Sequence, residues 1–174
     1  MAVKTADLTL AGDGLRFVAE SGSGHRIVLD NAQGDSGMRP AELVPLAVAG
    51  CTAMDVISIL RKKRQPVTAY EIHASGIQED DHPNAFRRID IVHVFSGASL
   101  DVAAVRRAIE LSATKYCSVG ATLSSGMVEI HHRFVVRSPD GIEETDEVLV
   151  TGPFEAAPAT ANAASGRQLV QVSR

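Results

Sequence analysis

The rhythm of apolar and polar positions changes several times along the chain, and each change marks an element. Between Pro40 and Gln65 the run PAELVPLAVAGCTAMDVISILRKKRQ is apolar at 43, 44, 46 to 51, 53, 54, 56, 57, 59 and 60. On a 3.6-residue period these positions cover nearly the whole circumference, which predicts a helix buried on most sides. Pro40 and Pro45 place its start near Glu42, because a proline in the first turn has no intrahelical bond to lose. Arg61-Lys62-Lys63-Arg64 close it, where cations complement the negative pole of the helix dipole. A membrane span needs roughly 18 or more continuous apolar residues, and Pro45, Thr52, Asp55 and Ser58 break this run. The stretch reads as a central core helix that the rest of the chain wraps.

The flanking segments alternate with period two. Val3 to Leu10 and Leu15 to Glu20 enclose the turn Ala11-Gly12-Asp13-Gly14, and Ser21-Gly22-Ser23-Gly24 leads to a short strand around Arg26 to Leu29, which makes a three-strand meander. A Gly, Ser and Asp loop from Asn31 to Arg39 delivers the chain to the helix. Beyond Pro66, the runs Val67 to Ile77 and Phe86 to Phe95 flank a polar connection and predict a long hairpin. Ser99 is the expected N-cap of a second helix, Leu100 to Ser112, with Val102, Val105, Ala108 and Ile109 on one face. A short third helix is expected from Cys117 to Gly126, then a strand from Met127 to Arg137. The order strand-strand-strand, long helix, strand-strand, helix, short helix, strand is that of an α+β domain spanning residues 1–137. Residues 138–174 turn acidic and then rich in Ala, Pro, Thr and Asn, and are expected to form a weakly packed C-terminal extension with short strands at Val148 to Thr151 and Leu169 to Val172.

Composition adds limits. A chain of 174 residues, 45% hydrophobic and 22% charged, suits one globular domain with a real core. A net charge of -4 gives no general attraction to polyanions, so neither nucleic acid nor a membrane is expected as a partner. The N-terminus lacks the charged-then-apolar pattern of a signal peptide, which makes the cytoplasm the expected location.

The candidate chemistry lies in Cys51 and Cys117, too far apart in sequence for a CxxC motif. A cysteine in an apolar helix is usually a small buried hydrophobe. Two features argue for more. Cys51 follows Gly50 in the small-residue part of the helix, where a ligand or another backbone can approach. Cys117 falls at a helix N-terminus beside Lys115, which marks it as the easier thiolate. Cys51, with Asp55 one turn on, needs a cation from another segment, for which Arg39, Arg16 and Arg133 are the candidates. The six histidines show no HExxH or Cys/His ligand spacing, and no metal or cofactor is expected.

The run RPAELVPLAVAGCTAMDVISILRKKRQ together with ELSATKYCSVGATLSSGMVEIHHRF closely resembles the OsmC/Ohr family of osmotically induced and organic-hydroperoxide-resistance proteins, in its OsmC-like branch. The resemblance covers roughly Leu15 to Val136. It implies an OsmC-like fold with antiparallel sheets wrapped around the long helix, and a homodimer of intertwined chains with the helices back to back and sites across the interface. It also implies a thiol peroxidase in oxidative-stress defence. Cys51 then matches the peroxidatic cysteine and Cys117 the resolving one, with an organic or hydrogen peroxide as substrate and an external dithiol as reductant. The family activates its cysteine with an Arg and a Glu, for which Arg39 and Glu42 stand here. When Leu43 is aligned with the family's leucine, the Glu position falls on Ala41 and Glu42 lies one residue off. That departure supports a second reading, a non-enzymatic dimer of the same fold that binds a small apolar ligand or senses redox state.

Overall fold

In the computed structural model, residues 2–126, 128–141, 143–152 and 155–156 are described. The predicted meander is β1 (Ala6–Leu10), β2 (Phe17–Ser21) and β3 (Arg26–Leu29), an antiparallel three-stranded sheet. Gly24, at φ +83°, closes the second turn, with its amide donating to Ser21 at 2.8 Å. A bridge between Leu29 and Met38 ties this sheet to the loop before the long helix. Its extensive packing is otherwise within itself, and Leu8, Leu10 and Ile27 are exposed on it.

A 3-10 turn, Pro40–Glu42, leads into α1 (Leu43–Lys62). Pro45 lies in the first turn as expected. The helix ends where Arg64 adopts the left-handed conformation, at φ 56°, and the Gln65 amide reaches back to the Leu60 carbonyl at 3.0 Å. Only one side of α1 is covered: Val48, Ala49, Thr52, Val56 and Leu60 are buried. Leu46, Ala47, Gly50 and Met54 are exposed, with Ala53 and Ile57 half-buried along the same stripe. The expectation of burial on most sides therefore holds for half of the circumference. Pro40–Lys62 is also long and apolar enough, by length and composition, to cross a membrane, since its four interruptions are too few to offset the aliphatic residues. Its inner side is nonetheless part of a folded core.

That core lies between α1 and a five-stranded sheet in the order β4 (Ala69–Gln78), β5 (Phe86–Ser96), β6 (Glu129–Arg137), β7 (Glu143–Gly152), β8 (Glu155–Ala156). The β4–β5 hairpin is the predicted one. The sheet is mixed and not purely antiparallel, because β5 and β6 run parallel. The chain crosses between them through α2 (Val102–Leu111), a π-turn (Ser112–Tyr116) and α3 (Ser118–Ser124), and a helical crossover returns the next strand parallel. Asp101, and not Ser99, caps α2: its Oδ1 accepts from the Ala103 amide at 2.9 Å, while Ser99 sits in the turn before it at φ 60°.

Residues 143–152 correct the expectation of a weakly packed extension. They form a full strand paired with β6 in register from Ile130↔Val150 to Arg137↔Glu143, so the sheet runs on past Arg137. Val148 and Val150 point inward and are buried, and Arg106 on α2 pairs with Asp146 and with the Glu147 carbonyl. Of the acidic residues that suggested a solvated segment, Glu143 and Glu147 take outward positions on this period-two strand and pair with Arg137 and Arg133, while Glu144 and Asp146 share the face of Val148 and Val150. The second expected strand, Leu169 to Val172, lies outside the described residues. Two apolar clusters fill the core. One gathers Val56, Leu60, Phe95, Val105, Ile109, Phe134 and Val148, and the other Val48, Ile89, Ile91, Ala113, Cys117, Ile130 and Val150.

Candidate active site

Three local features bring the two cysteines together. Cys51 sits mid-way along α1, at the edge of its buried side, and is half-buried. The π-turn inserts an extra residue between α2 and α3, with the Cys117 amide bonded to the Ser112 carbonyl at 2.8 Å. It thereby places Cys117 at the N-cap of α3, where Sγ accepts from the Gly120 amide at 3.2 Å. Cys117 is 3% exposed and belongs to the apolar cluster against which Cys51 packs.

The electrostatic expectation for Cys117 is overturned. Burial, and then the hydrogen bond with the neighbouring Cys51 thiol, push its pKa up to about 11, against the opposing pull of the Gly120 amide and the Thr52 hydroxyl. The helix N-terminus is present, but desolvation outweighs it. Lys115 does not face the sulfur; its Nζ lies over the Tyr116 ring, 5.5 Å from the centroid. At rest Cys117 is a buried thiol, and Cys51 is the less buried of the two.

The candidate activating groups are placed as follows. Arg39 pairs with Asp35 at 2.7 Å, and the Glu42 carboxylate accepts from the Arg39 amide at 2.9 Å, so the two brace the entry to α1. Arg133 lies on the outer face of the sheet, beside Asp90 and Glu147, and is removed from the cysteines by the thickness of the sheet. Arg16 is close enough to Asp30 to help hold that carboxyl below its usual range, after the larger effects of the Ser36 hydroxyl and the Asn31 amide. Asp55 accepts from the buried Ser112 hydroxyl at 3.0 Å.

A groove of about 540 Å³ opens along α1 and reaches as far as Gly50, the residue before Cys51. Glu42, Pro45, Leu46, Ala49 and Gly50 form one wall, and Ile72, Ala74, Gly76, Gln78 and Phe86 the other. The Phe86 ring lies directly over Gly76, where a Cβ would come within 2.4 Å of it. Ala49 and Gly50, small residues of the stretch that the sequence singled out, leave this room along α1.

Sequence reasoning missed the polar layer between the two apolar clusters. Tyr70 Oη lies 2.7 Å from His93 Nδ1, and His93 Nε2 lies 3.2 Å from His132 Nδ1. Both histidines are buried, and Tyr70, His93 and Phe95 stack with nearly parallel rings. Period-two alternation already placed His93 between Ile91 and Phe95, and His132 between Ile130 and Phe134, which was the available signal. His73 and His93 fall on opposite faces, since His73 pairs with Val92 and Ile72 with His93. His131 turns outward to Glu147 and Glu129. Among the described residues no group of three or more His, Cys, Asp or Glu side chains could hold a metal ion.

The family profile described as OsmC-like protein matches residues 33–132, from the loop before α1 to the inward histidine of β6. The chain belongs to the OsmC-like family. Protein YhfA of Escherichia coli K12 is 42% identical over 124 residues, a match that takes in 92% of YhfA and 71% of this chain. A hypothetical protein of Aquifex aeolicus VF5, known from its crystal structure, is 30% identical at a TM-score of 0.68, covering 79% of this chain and 98% of that one. An organic hydroperoxide resistance protein from Legionella pneumophila shares the fold, with a TM-score of 0.55 over 78% of this chain and 97% of its own, at 11% identity. The OsmC-like match thus contains both cysteines, the groove along α1 and the π-turn, and stops short of β7.

Proposed function

We propose that this OsmC-like protein is a thiol peroxidase in oxidative-stress defence. The observation that carries the reading is the pairing of a half-buried Cys51, on the helix that forms one wall of an open apolar groove, with a buried Cys117 that touches it. The Cys51 thiolate attacks the terminal oxygen of a hydroperoxide, the O–O bond breaks, and the departing alkoxide takes a proton to leave as the alcohol. Cys51 is now a sulfenic acid. Cys117 condenses with it, its proton and the sulfenic hydroxyl leaving as water, and the disulfide remains. An external dithiol returns both sulfurs to thiols and is itself oxidised to a disulfide. The apolar walls favour an organic hydroperoxide over hydrogen peroxide.

The working unit is a homodimer. The apolar stripe of Leu46, Gly50, Ala53, Met54 and Ile57 on α1 is left uncovered by its own chain, and the β1–β3 meander packs chiefly on itself. A second copy supplies α1 with a matching stripe and gives the meander a surface to lie on. Arg39 and Glu42 brace each other at the rim of the groove. Arg16, carried by the meander, is the cation that a second chain can bring toward Cys51.

The test is turnover: tert-butyl hydroperoxide consumed in the presence of a dithiol by the wild-type protein and not by Cys51→Ser. A second reading, a non-enzymatic dimer binding an apolar ligand, is favoured by Ala41 at the family's glutamate position. Equal consumption by wild type and Cys51→Ser would select it.

A further inference from the structure

The sulfur of Cys117 sits in a cradle of two donors. Gly120 gives its amide at 3.2 Å and Thr52 its hydroxyl at 3.6 Å, and the Thr52 side chain is completely buried. The hydroxyl is aimed at the sulfur against the usual habit of helical threonines, which return the proton to the carbonyl one turn back. Thr114 and Thr122 do so here, at 2.7 and 2.8 Å. Gly120 is equally specific in shape: a Cβ on it would stand 3.3 Å from the sulfur. A resting thiol in an apolar cluster has little use for two convergent donors. A thiolate does, since charge-assisted bonds are the strong ones and an unsolvated anion in such a place is costly.

We infer that Thr52 is a positioning residue for the reduction half of the cycle, holding Cys117 as the leaving thiolate when an external thiol attacks the disulfide at Cys51. The inference rests on the thiol-peroxidase reading only in taking a Cys51–Cys117 disulfide as a state of the protein. Exposure decides which sulfur is attacked, because Cys51 is half-buried and Cys117 is 3% exposed. The incoming thiolate forms a bond to Cys51 Sγ, the S–S bond breaks, and its electron pair goes to Cys117 Sγ. The Thr52 hydroxyl and the Gly120 amide stabilise that charge until the sulfur is protonated. The second thiol of the reductant then attacks the mixed disulfide and expels Cys51, so that the two protons of the dithiol end on Cys51 and Cys117. Burial and contact with Cys51 hold the pKa of Cys117 at about 11 even against the pull of the two donors, so removing the Thr52 hydroxyl makes it a poorer leaving group still.

The test uses the whole chain of 174 residues oxidised with diamide, so that its outcome does not depend on peroxide turnover. Reduction by dithiothreitol is followed in wild type, Thr52→Val and Thr52→Ser. The expected result is a roughly three- to tenfold slower reduction of Thr52→Val, with the rate restored in Thr52→Ser. Alkylation of Cys51 in a Cys117→Ser background and the melting temperature serve as controls for a merely structural effect, and neither is expected to follow that pattern. Brief exposure to glutathione and acid quench should show the mixed disulfide on Cys51. Reduction of Thr52→Val at the wild-type rate, or a mixed disulfide on Cys117, would overturn the inference. Loss of peroxide turnover alone would overturn only the reading on which it rests.

Discussion

His93 and His132 meet across the β5–β6 pair with 3.2 Å between Nε2 and Nδ1, both out of contact with water. The chain of bonds is complete when both rings are neutral: Tyr70 donates to His93 Nδ1, His93 donates from Nε2, and His132 Nδ1 accepts. An added proton would have to sit in this apolar layer unpaired. Burial, followed by the charge of its neighbour, lowers the pKa of each, that of His132 to about 4 and that of His93 well below its ordinary value.

Stability should therefore fall on acidification in a defined window. The unfolded chain takes up these protons near pH 6.5 and the folded chain does not, so their contribution is intact above pH 6.5 and declines as the pH drops toward 4. For His132 alone the loss is about 3 kcal/mol across that window. Asp90, whose carboxyl is held low by Arg88, loses its contribution only at lower pH, below about 4. Urea midpoints measured from pH 7.5 to 4 should show the decline in the wild type and a much flatter profile in a His93→Phe, His132→Leu double variant. Equal slopes for the two would contradict the account.

Tyr70→Phe removes the donor to His93 Nδ1 while keeping the ring stacked on Phe95 at 4.5 Å. A buried acceptor left without a partner costs about 1–3 kcal/mol. Chemical denaturation of the variant checks this, and an unchanged midpoint would mean that the hydroxyl is idle.

The strand after Arg137 should be structural. Val148 and Val150 are buried, one in each apolar cluster, and Val150 packs in the same cluster as Cys117. Val148→Ala should cost about 2 kcal/mol, and a chain stopped at Arg137 should lose more and show faster alkylation of Cys117. Thermal melts and thiol labelling of the truncated chain would decide; wild-type behaviour in both would show that β7 is dispensable.

The reach of sequence reasoning differs among these elements for physical reasons. The long helix, the β4–β5 hairpin and the one-sided α2 were legible because each repeats one period over many residues. β7 was legible only in its Val148 to Thr151 part, because four of the five positions before Val148 are charged and its length is set by pairing with β6. The cysteines were legible through Gly50 beside Cys51, the helix N-terminus at Cys117 and the resemblance those blocks carry. The reactivity order was not: dipole and Lys115 spoke for Cys117, whereas its burial depends on how Ile130 and Val150 close around it. The Tyr70–His93–His132 layer joins three strands, and no local pattern announces contacts of that range.

The exposed stripe on α1 gives the dimer its test. Met54 is 75% exposed and Leu46 is 51% exposed on an otherwise apolar face. A charge placed there has little to disturb within the chain but would be buried between two helices. Met54→Arg should convert the protein to a monomer by sedimentation velocity, with its helix content preserved. A wild-type protein that sediments as a monomer at micromolar concentration would remove the dimer from the account.

The most direct measurement is to add one equivalent of cumene hydroperoxide to the reduced protein, quench within seconds, and map the thiols by intact mass and peptide analysis. The account predicts a loss of two mass units located to an intrachain Cys51–Cys117 disulfide. It also predicts a gain of one oxygen on Cys51 in Cys117→Ser, and no reaction in Cys51→Ser. Survival of both thiols through minutes of excess peroxide would contradict it.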